Sequence, residues 1–353
     1  MSLTAVPATD LLSRLDEFDT IIDARSEDEF LADHLPGAAN WPTLNNQERH
    51  EIGTVYKQVN PFEARKRGAA IAARNIADHI TREVLDKARD WKPLVYCWRG
   101  GQRSGSLSLV LHQIGFRVTL VEGGYKAFRA ALVADTARLA ASLEFQVVCG
   151  TTGSGKTRLL HALSRCGAQV LDLEALASHR SSVLGAIPGQ PQPTQKGFDT
   201  RVWDALRRFD PDRPVFVESE SRKVGNVAVP VALIDAMRHG TCLNLVLGDP
   251  ERVALLMEDY DFFVRDTPAF CERLNALGEI RGKTVVRGWQ ALVQSGRIEQ
   301  VVQELLTMHY DPVYLQSMRR NFGQFDTARV LTPTDGSVAA MDVLARQLLN
   351  QAP

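Results

Sequence analysis

Two short stretches of the chain combine residue types suited to handling anions. The first is Cys97-Trp98-Arg99-Gly100-Gly101-Gln102-Arg103-Ser104, which sets a thiol at the head of a glycine-rich turn. Successive backbone N–H groups in such a turn point inward and form an anion nest. Arg99 and Arg103 add positive charge, and Ser104 is placed to cap a following helix whose N-terminus is itself positive. These effects favour thiolate over thiol, so Cys97 is expected to be a nucleophile. Gly100 and Gly101 permit the tight curvature. The second stretch, Gly150-Thr151-Thr152-Gly153-Ser154-Gly155-Lys156-Thr157, fits G-x-x-x-x-G-K-[ST] at every position. Its amides are expected to cradle phosphate oxygens at a helix N-terminus. Lys156 would reach a terminal phosphate, and Thr157 would ligate Mg²⁺ where that ion accompanies the phosphate.

Further candidates surround the second stretch. Glu218, at the end of PVFVE, is a candidate metal-linked carboxylate, and Asp172, ending VLDL, is its rival. The segment ESESRKVGN (218–226) places Glu220, Arg222 and Lys223 directly after a buried strand, where parallel sheets hold ligands. His179 and Arg180 follow another strand and are candidates for the same crevice. No metal-ligand spacing of Cys or His occurs. Neither a resident metal nor a tightly bound cofactor is therefore expected.

Strands and helices must position these groups. PLVYC (93–97) and EFQVVCG (144–150) read as apolar strands, each entering its glycine-rich loop and then a helix-period segment. TIIDARS (20–26) and VTLVE (118–122) read as further strands of the first part, with a long helical stretch over 61–90. In the second part VLDLE (170–174), PVFVES (214–219), TCLNLVLG (241–248) and ARVL (328–331) are strand candidates, and helices dominate 250–320. Residues 185–197, with three prolines, read as a loop. Alternating strands and helices predict an α/β chain with two parallel sheets. The expected division is a first domain over 10–133, a linker helix over 134–143 and a phosphate-loop domain over 144–353 with a helical C-terminal part.

Composition narrows the partners. The 353 residues carry 41 Lys+Arg against 42 Asp+Glu, so bulk charge makes no case for nucleic-acid binding. Any basic face must be made by folding; Arg207, Arg208, Arg213, Arg319 and Arg320 are candidates, in a second part that holds 20 Arg and only 4 Lys. Five dispersed cysteines without a CxxC pair speak against a disulfide framework or a structural zinc. No signal-peptide core and no apolar run of membrane-spanning length is present, so a cytoplasmic location without membrane contact is expected.

The residues of the first part resemble the rhodanese family over about 10–130. Asp23 and Arg25 match its D-x-R signature, and His34, Pro36, Gly37 and Ala38 match its H-x-P-G-A turn. That likeness implies a rhodanese-like parallel-sheet fold and a loop cysteine that carries a chalcogen. Five residues separate Cys97 from Arg103 where many such loops have four, so the ring could admit a larger anion. The spacing is also similar to cysteine phosphatases, although Tyr96 stands where those enzymes usually have His.

Taken together, VYCWRGGQRS, VVCGTTGSGKT, LDLEALASHRSSVLG and FVESESRKVGN resemble the tRNA 2-selenouridine synthase family over about 10–330. The likeness implies a P-loop NTPase-like second domain. It also implies a transferase that replaces the sulfur of wobble 2-thiouridine in tRNA with selenium. Selenophosphate would be the donor, and an S-geranylated intermediate would be made from geranyl diphosphate. The enzyme that produces selenophosphate is an implied partner. Two other readings stay open: a nucleotide-dependent kinase or ATPase with an accessory rhodanese module, and a non-catalytic redox or anion-sensing module.

Overall fold

Ile21, Ile22, Leu94 and Val95 leave their strands no polar face to turn to water, so those strands must be covered on both sides. In the computed structural model, which describes residues 3–180, 185, 187 and 189–350, they lie inside a five-stranded parallel sheet. Its strands are β1 (Thr4–Pro7), β2 (Thr20–Asp23), β3 (Ala38–Asn40), β4 (Pro93–Tyr96) and β5 (Thr119–Glu122), in the order β1-β5-β4-β2-β3. Helices cover both faces. One face is closed by an apolar cluster of Ile22, Trp41, Ile76, Trp91, Val95, Leu107, Leu111 and Phe116. Edge strand β1 has mostly exposed residues, and the sequence reading missed it for want of an apolar run.

A second parallel sheet contains β6 (Phe145–Cys149), β7 (Gln169–Leu171), β8 (Val215–Glu218), β11 (Thr241–Leu245) and β12 (Arg329–Leu331), in the order β12-β11-β6-β8-β7. A small antiparallel hairpin, β9 (Lys223–Val224) with β10 (Val227–Ala228), stands apart from it. VLDLE ends as a strand at Leu171, because the Asp172 side chain accepts from the Ala175 amide at 2.8 Å and starts the helix Leu173–Ala177. Beyond β11 the helices build a core of their own around Phe270, Leu274, Trp289, Val293 and Val301.

The chain divides into two compact units. The first holds residues through Arg138 together with Pro193–Arg207; the second holds Leu139–Gln192 and the chain from Arg208 on. Thus the continuous helix Gly124–Ser142 passes from one unit to the next. The helix Gln195–Leu206, which a simple boundary at 134–143 would assign to the second domain, is part of the first unit. Its buried face of Phe198, Val202, Trp203 and Leu206 explains this. Trp203 meets Phe128 edge-on at 5.6 Å and donates to Asp135 at 2.9 Å. Thr194 caps that helix, so the expected loop ends there.

Candidate active site

Cys97 follows the last residue of β4, a strand interior to its sheet, at the carboxyl edge where parallel sheets present ligands. The side chain is only 3 % exposed and packs against the apolar cluster. Its Sγ turns to the loop, where it accepts from the Gly101 amide at 3.3 Å and the Ser104 hydroxyl at 3.1 Å. Donors aimed at one sulfur are what an anionic sulfur or selenium needs. Gly100 takes φ +67°, and the turn after β5 closes over the loop: a Cβ on Gly124 would collide with the Cys97 carbonyl and the Gly100 amide. Tyr125 donates its amide to that same carbonyl at 2.8 Å.

The rim differs from the sequence expectation in one respect. Arg99 is exposed, as are Gly100 and Gly101, but Arg103 is committed to Glu29 at 2.7 Å. Burial opposes the charge on Glu29, yet Arg103 and Arg49 outweigh it and hold the carboxyl below its ordinary range. Arg103 therefore supports the loop's frame more than it adds free charge. Trp98 stacks on Tyr125 at 5.4 Å, with Lys196 5.8 Å over its ring. Lys196 comes from the helix Gln195–Leu206, a contribution no local pattern announces.

The rhodanese-like signature residues build the floor beneath. Asp23 and Arg25 form a buried ion pair at 2.6 Å, and Arg25 also donates to the Asp33 carbonyl and stacks on Tyr125 at 4.0 Å. Asp33 in turn accepts from Tyr125 at 2.7 Å and Thr200 at 3.1 Å. His34 stacks on Phe30 at 3.9 Å and contacts its carbonyl, and the Pro36-Gly37 turn leads into β3 at Ala38. These residues hold Cys97's strand and the opposite turn in place; none touches the sulfur.

The phosphate loop leaves β6 and enters the helix Lys156–Arg165. Lys156 Nζ donates to the Gly150 carbonyl at 2.9 Å. The Gly150 amide donates to the hydroxyl of Tyr314 at 2.6 Å, which also meets Ser219 at 3.0 Å. The Thr152 carbonyl accepts from the buried Arg252 at 2.8 and 3.0 Å, and Arg252 is paired with Asp311 at 2.6 Å. Ser154 is buried with its hydroxyl unpartnered, and Gly153 and Gly155 complete the turn at positive φ. Tyr314 and Arg252 were not legible beforehand, because both reach the loop from far along the chain.

Glu218, ending β8, shares a side-chain hydrogen bond with Thr157, while its Oε1 is buried without a partner. Burial, the charge of Glu174 and, less so, that of Glu220 push this carboxyl far above its ordinary range, against the pull of Lys156. Carboxylate oxygens of Glu174, Glu218 and Glu220 lie within 4.8 Å of one another. Such a set of hard oxygens, one of them orphaned, suits a divalent cation such as Mg²⁺. The sequence reading offered Thr157 and Glu218 for a metal that accompanies the phosphate, but did not single out Glu174. Its rival candidate Asp172 is occupied as a helix cap and by His161 at 3.1 Å. Arg222 and Lys223 are exposed beside and on the β9–β10 hairpin; their backbones are hydrogen-bonded to Val229 and Ser221, while among the described residues their side chains have no hydrogen-bond or ion-pair partner. His179 is buried with Nδ1 unpartnered, and Arg180 lies 4.6 Å over the Tyr260 ring. Residues 181–184 of that segment fall outside the described residues.

Among the arginines suggested for a basic face, Arg207 is tied to Asp204 and Asp16, Arg213 donates to the Gly167 carbonyl, and Arg319 pairs with Asp326 at 3.5 Å. Arg320 is exposed.

A cysteine-loop domain and a phosphate-loop domain in one chain define a rhodanese-like module joined to a P-loop module. Family profiles agree: a rhodanese-like domain matches residues 7–131, and the tRNA 2-selenouridine synthase AAA domain matches residues 143–278. The chain is 36 % identical over 244 residues to the tRNA 2-selenouridine synthase of Nitrosomonas europaea, an alignment covering 68 % of this chain and 63 % of that protein. It is 30 % identical over 346 residues to that of Aeromonas salmonicida, covering 90 % and 92 %. With the Marinobacter nauticus protein of the same name the identity is 30 % over 335 residues, covering 86 % and 89 %. The chain belongs to the tRNA 2-selenouridine synthase family. Among the described residues no helix is long and apolar enough to cross a membrane.

Proposed function

We propose that the chain exchanges the sulfur of a wobble 2-thiouridine in tRNA for selenium, using its two loops in turn. In the first step the thiocarbonyl sulfur attacks C1 of geranyl diphosphate; a C–S bond forms, the C–O bond breaks and pyrophosphate leaves. Lys156 and the amides of Gly150–Thr157 receive the charge that grows on the leaving group. A Mg²⁺ ion held by Glu174, Glu218 and Glu220 beside Thr157 would supply further neutralisation there. In the second step the selenium of selenophosphate adds at C2 of the uridine, and water later cleaves the P–Se bond, releasing phosphate and leaving selenium on the base. The S-geranyl group is expelled as geranyl thiolate, which takes a proton from solvent. Alkylation is what makes that departure feasible, since a bare thiocarbonyl offers no leaving group. Cys97 handles the selenium.

The observation that carries this reading is the Cys97 sulfur. It accepts from Gly101 and Ser104 in a chain whose other loop is a complete phosphate cradle. Contact with tRNA would be mostly to phosphates and a splayed anticodon base, with Arg208, Arg213, Arg319 and Arg320 as candidates. Binding should weaken as salt rises. The setting is the cytoplasm, where thiolated tRNA and the selenophosphate-producing enzyme would be met.

The test is nucleoside mass spectrometry after incubation with thiolated tRNA, geranyl diphosphate and selenophosphate. Geranylated thiouridine is expected without selenophosphate, and selenouridine with it. Cys97→Ser should stop at the geranylated nucleoside, and Lys156→Ala should fail to reach it. Wild-type selenouridine formation by Cys97→Ser would overturn the assignment. The complete G-x-x-x-x-G-K-[ST] motif with three nearby carboxylates also suits a nucleotide with its Mg²⁺. ATP turnover lost in Lys156→Ala, with no geranyl transfer, would favour that second reading.

A further inference from the structure

In the first unit, the helices Asn46–Gln58 and Pro61–Glu83 form a hairpin that is poorly buried for its length. The first helix has no buried residue, and the second buries only Ala64, Ile76 and His79. Residues 56–62, at the elbow, are all exposed; among them Tyr56, Val59 and Phe62 are 57 %, 59 % and 63 % accessible. Single exposed apolar side chains are ordinary, but three at one elbow, two of them aromatic, mark a contact surface. The local charge indicates the class of partner. Residues 49–77 hold six Lys and Arg against two acids, Glu51 and Glu63, in a chain of formal charge −1. Among the described residues the exposed Lys57 and Arg67 have side chains with no hydrogen-bond or ion-pair partner. Lys66 lies 5.2 Å over the Phe62 ring. Cations interleaved with exposed rings suit a nucleic acid, whose phosphates meet the charge and whose unstacked bases meet the rings. A second copy of this chain would instead bring the same positive elbow against it.

The root of the hairpin is tied to the rim of the cysteine loop. Asn46 exchanges hydrogen bonds with the segment before it, accepting from the Asp28 amide at 3.0 Å and donating its own amide to Glu27 at 2.9 Å. Arg49 pairs with Glu29 at 3.1 Å, the same carboxylate that holds Arg103 of the loop at 2.7 Å. From there the helix runs about 20 Å to the elbow, at 1.5 Å per residue. Arg49, Gly53 and Lys57 follow one another along one face at spacings of four. Gly53 has no steric duty within the fold: it is exposed, and a Cβ there would meet nothing within 4 Å. A glycine inside a helix costs stability relative to alanine, and what it offers is bare backbone that a partner can approach closely.

We propose that the anticodon arm of tRNA docks along this face, its phosphates on Lys57 and Arg67 and its unstacked bases on Tyr56 and Phe62, which brings the wobble base to Cys97. The proposal rests on the reading that thiolated tRNA is the substrate at Cys97. It adds the surface that holds the RNA, which lies away from all five arginines suggested by the sequence.

Fluorescence anisotropy of thiolated tRNA with the full chain is the test. Replacing both cations, Lys57→Ala with Arg67→Ala, should weaken binding by roughly tenfold and lower the slope of log affinity against log salt by about two. Replacing both rings, Tyr56→Ala with Phe62→Ala, should weaken it by at least about fivefold and leave that slope unchanged. Gly53→Glu separates docking from folding. Glu is the better helix former, so the thermal midpoint should not fall, yet tRNA binding should weaken by roughly tenfold. In turnover, the variant lacking both cations should show a raised KM for tRNA and an unchanged kcat. Wild-type tRNA affinity in all three variants overturns the surface. So does a dimer that the ring variant dissolves while its tRNA affinity stays unchanged. A wild-type chain that binds tRNA through these residues but exchanges no sulfur keeps the surface and overturns the exchange reading instead.

Discussion

The hydroxyl of Tyr314 takes up the first amide of the phosphate loop, while Lys156 is turned back onto the Gly150 carbonyl. A phosphate entering the cradle must compete for both. Burial, more than any neighbour, pushes the Tyr314 phenol above its ordinary range, so it competes as a neutral group. Removing the hydroxyl should release the amide. Tyr314→Phe is expected to bind pyrophosphate more tightly, by roughly fivefold if one hydrogen bond of about 1 kcal/mol is at stake. Unchanged affinity in a calorimetric titration would show that the phenol does not compete. At this scale the legible residues were those whose chemistry is local: Cys97 with its glycines, and the eight residues ending at Thr157. Tyr314 lies 164 residues from the amide it binds and Arg252 lies 100 residues from its carbonyl, so neither leaves a mark in the loop's own sequence. Asp172 was misplaced for a different reason. An Asp after an apolar run reads equally as a strand end and as a helix cap, and here the cap prevailed.

Elements set what the residues can do. The turn after β5 approaches the cysteine loop so closely that Gly124, at φ +60°, has no room for a methyl group. Gly124→Ala should push the loop away from the sulfur's donors. We expect it to reduce selenium incorporation as severely as Cys97→Ser, while pyrophosphate binding by the phosphate loop stays normal. Intact selenouridine formation would show that the loop tolerates the shift. The helix Pro61–Glu83 carries a second testable element. His79 donates to the Pro42 carbonyl at 3.0 Å and accepts from Arg82 at 3.2 Å, a pattern only the neutral ring can make. Burial lowers its pKa from 6.5, with the Pro42 bond opposing and Arg82 assisting. The unfolded chain therefore binds the extra proton first. This contribution to stability is present above 6.5 and is lost as pH falls through the lowered value. In thermal melts between pH 7.5 and 5, His79→Gln should lose less of its midpoint than wild type; parallel losses would remove His79 from the account.

Across the whole molecule the alternation of strands and helices was readable, and with it both parallel sheets, because their central strands are predominantly apolar. The readable pattern fails at edges and crossings. Edge strand β1 is exposed and short, and the helix Gln195–Leu206 looks like any amphipathic helix until Trp203 is seen against Phe128. A fragment of residues 1–138 lacks that helix. It should expose Phe128 and leave Asp33 without Thr200, and so melt lower than the same unit in the full chain. Adding a 193–207 peptide should recover part of the loss by differential scanning fluorimetry; no recovery would mean the helix contributes little.

That helix also has a consequence for synthesis. Domains commonly fold in the order they leave the ribosome. Here the amino-terminal unit cannot close until its last piece emerges at Arg207, after the whole of Leu139–Gln192 has already been made. Nascent chains paused between those points would hold an unfinished first unit beside the opening strands of the second. That interval is where a chaperone would be most needed.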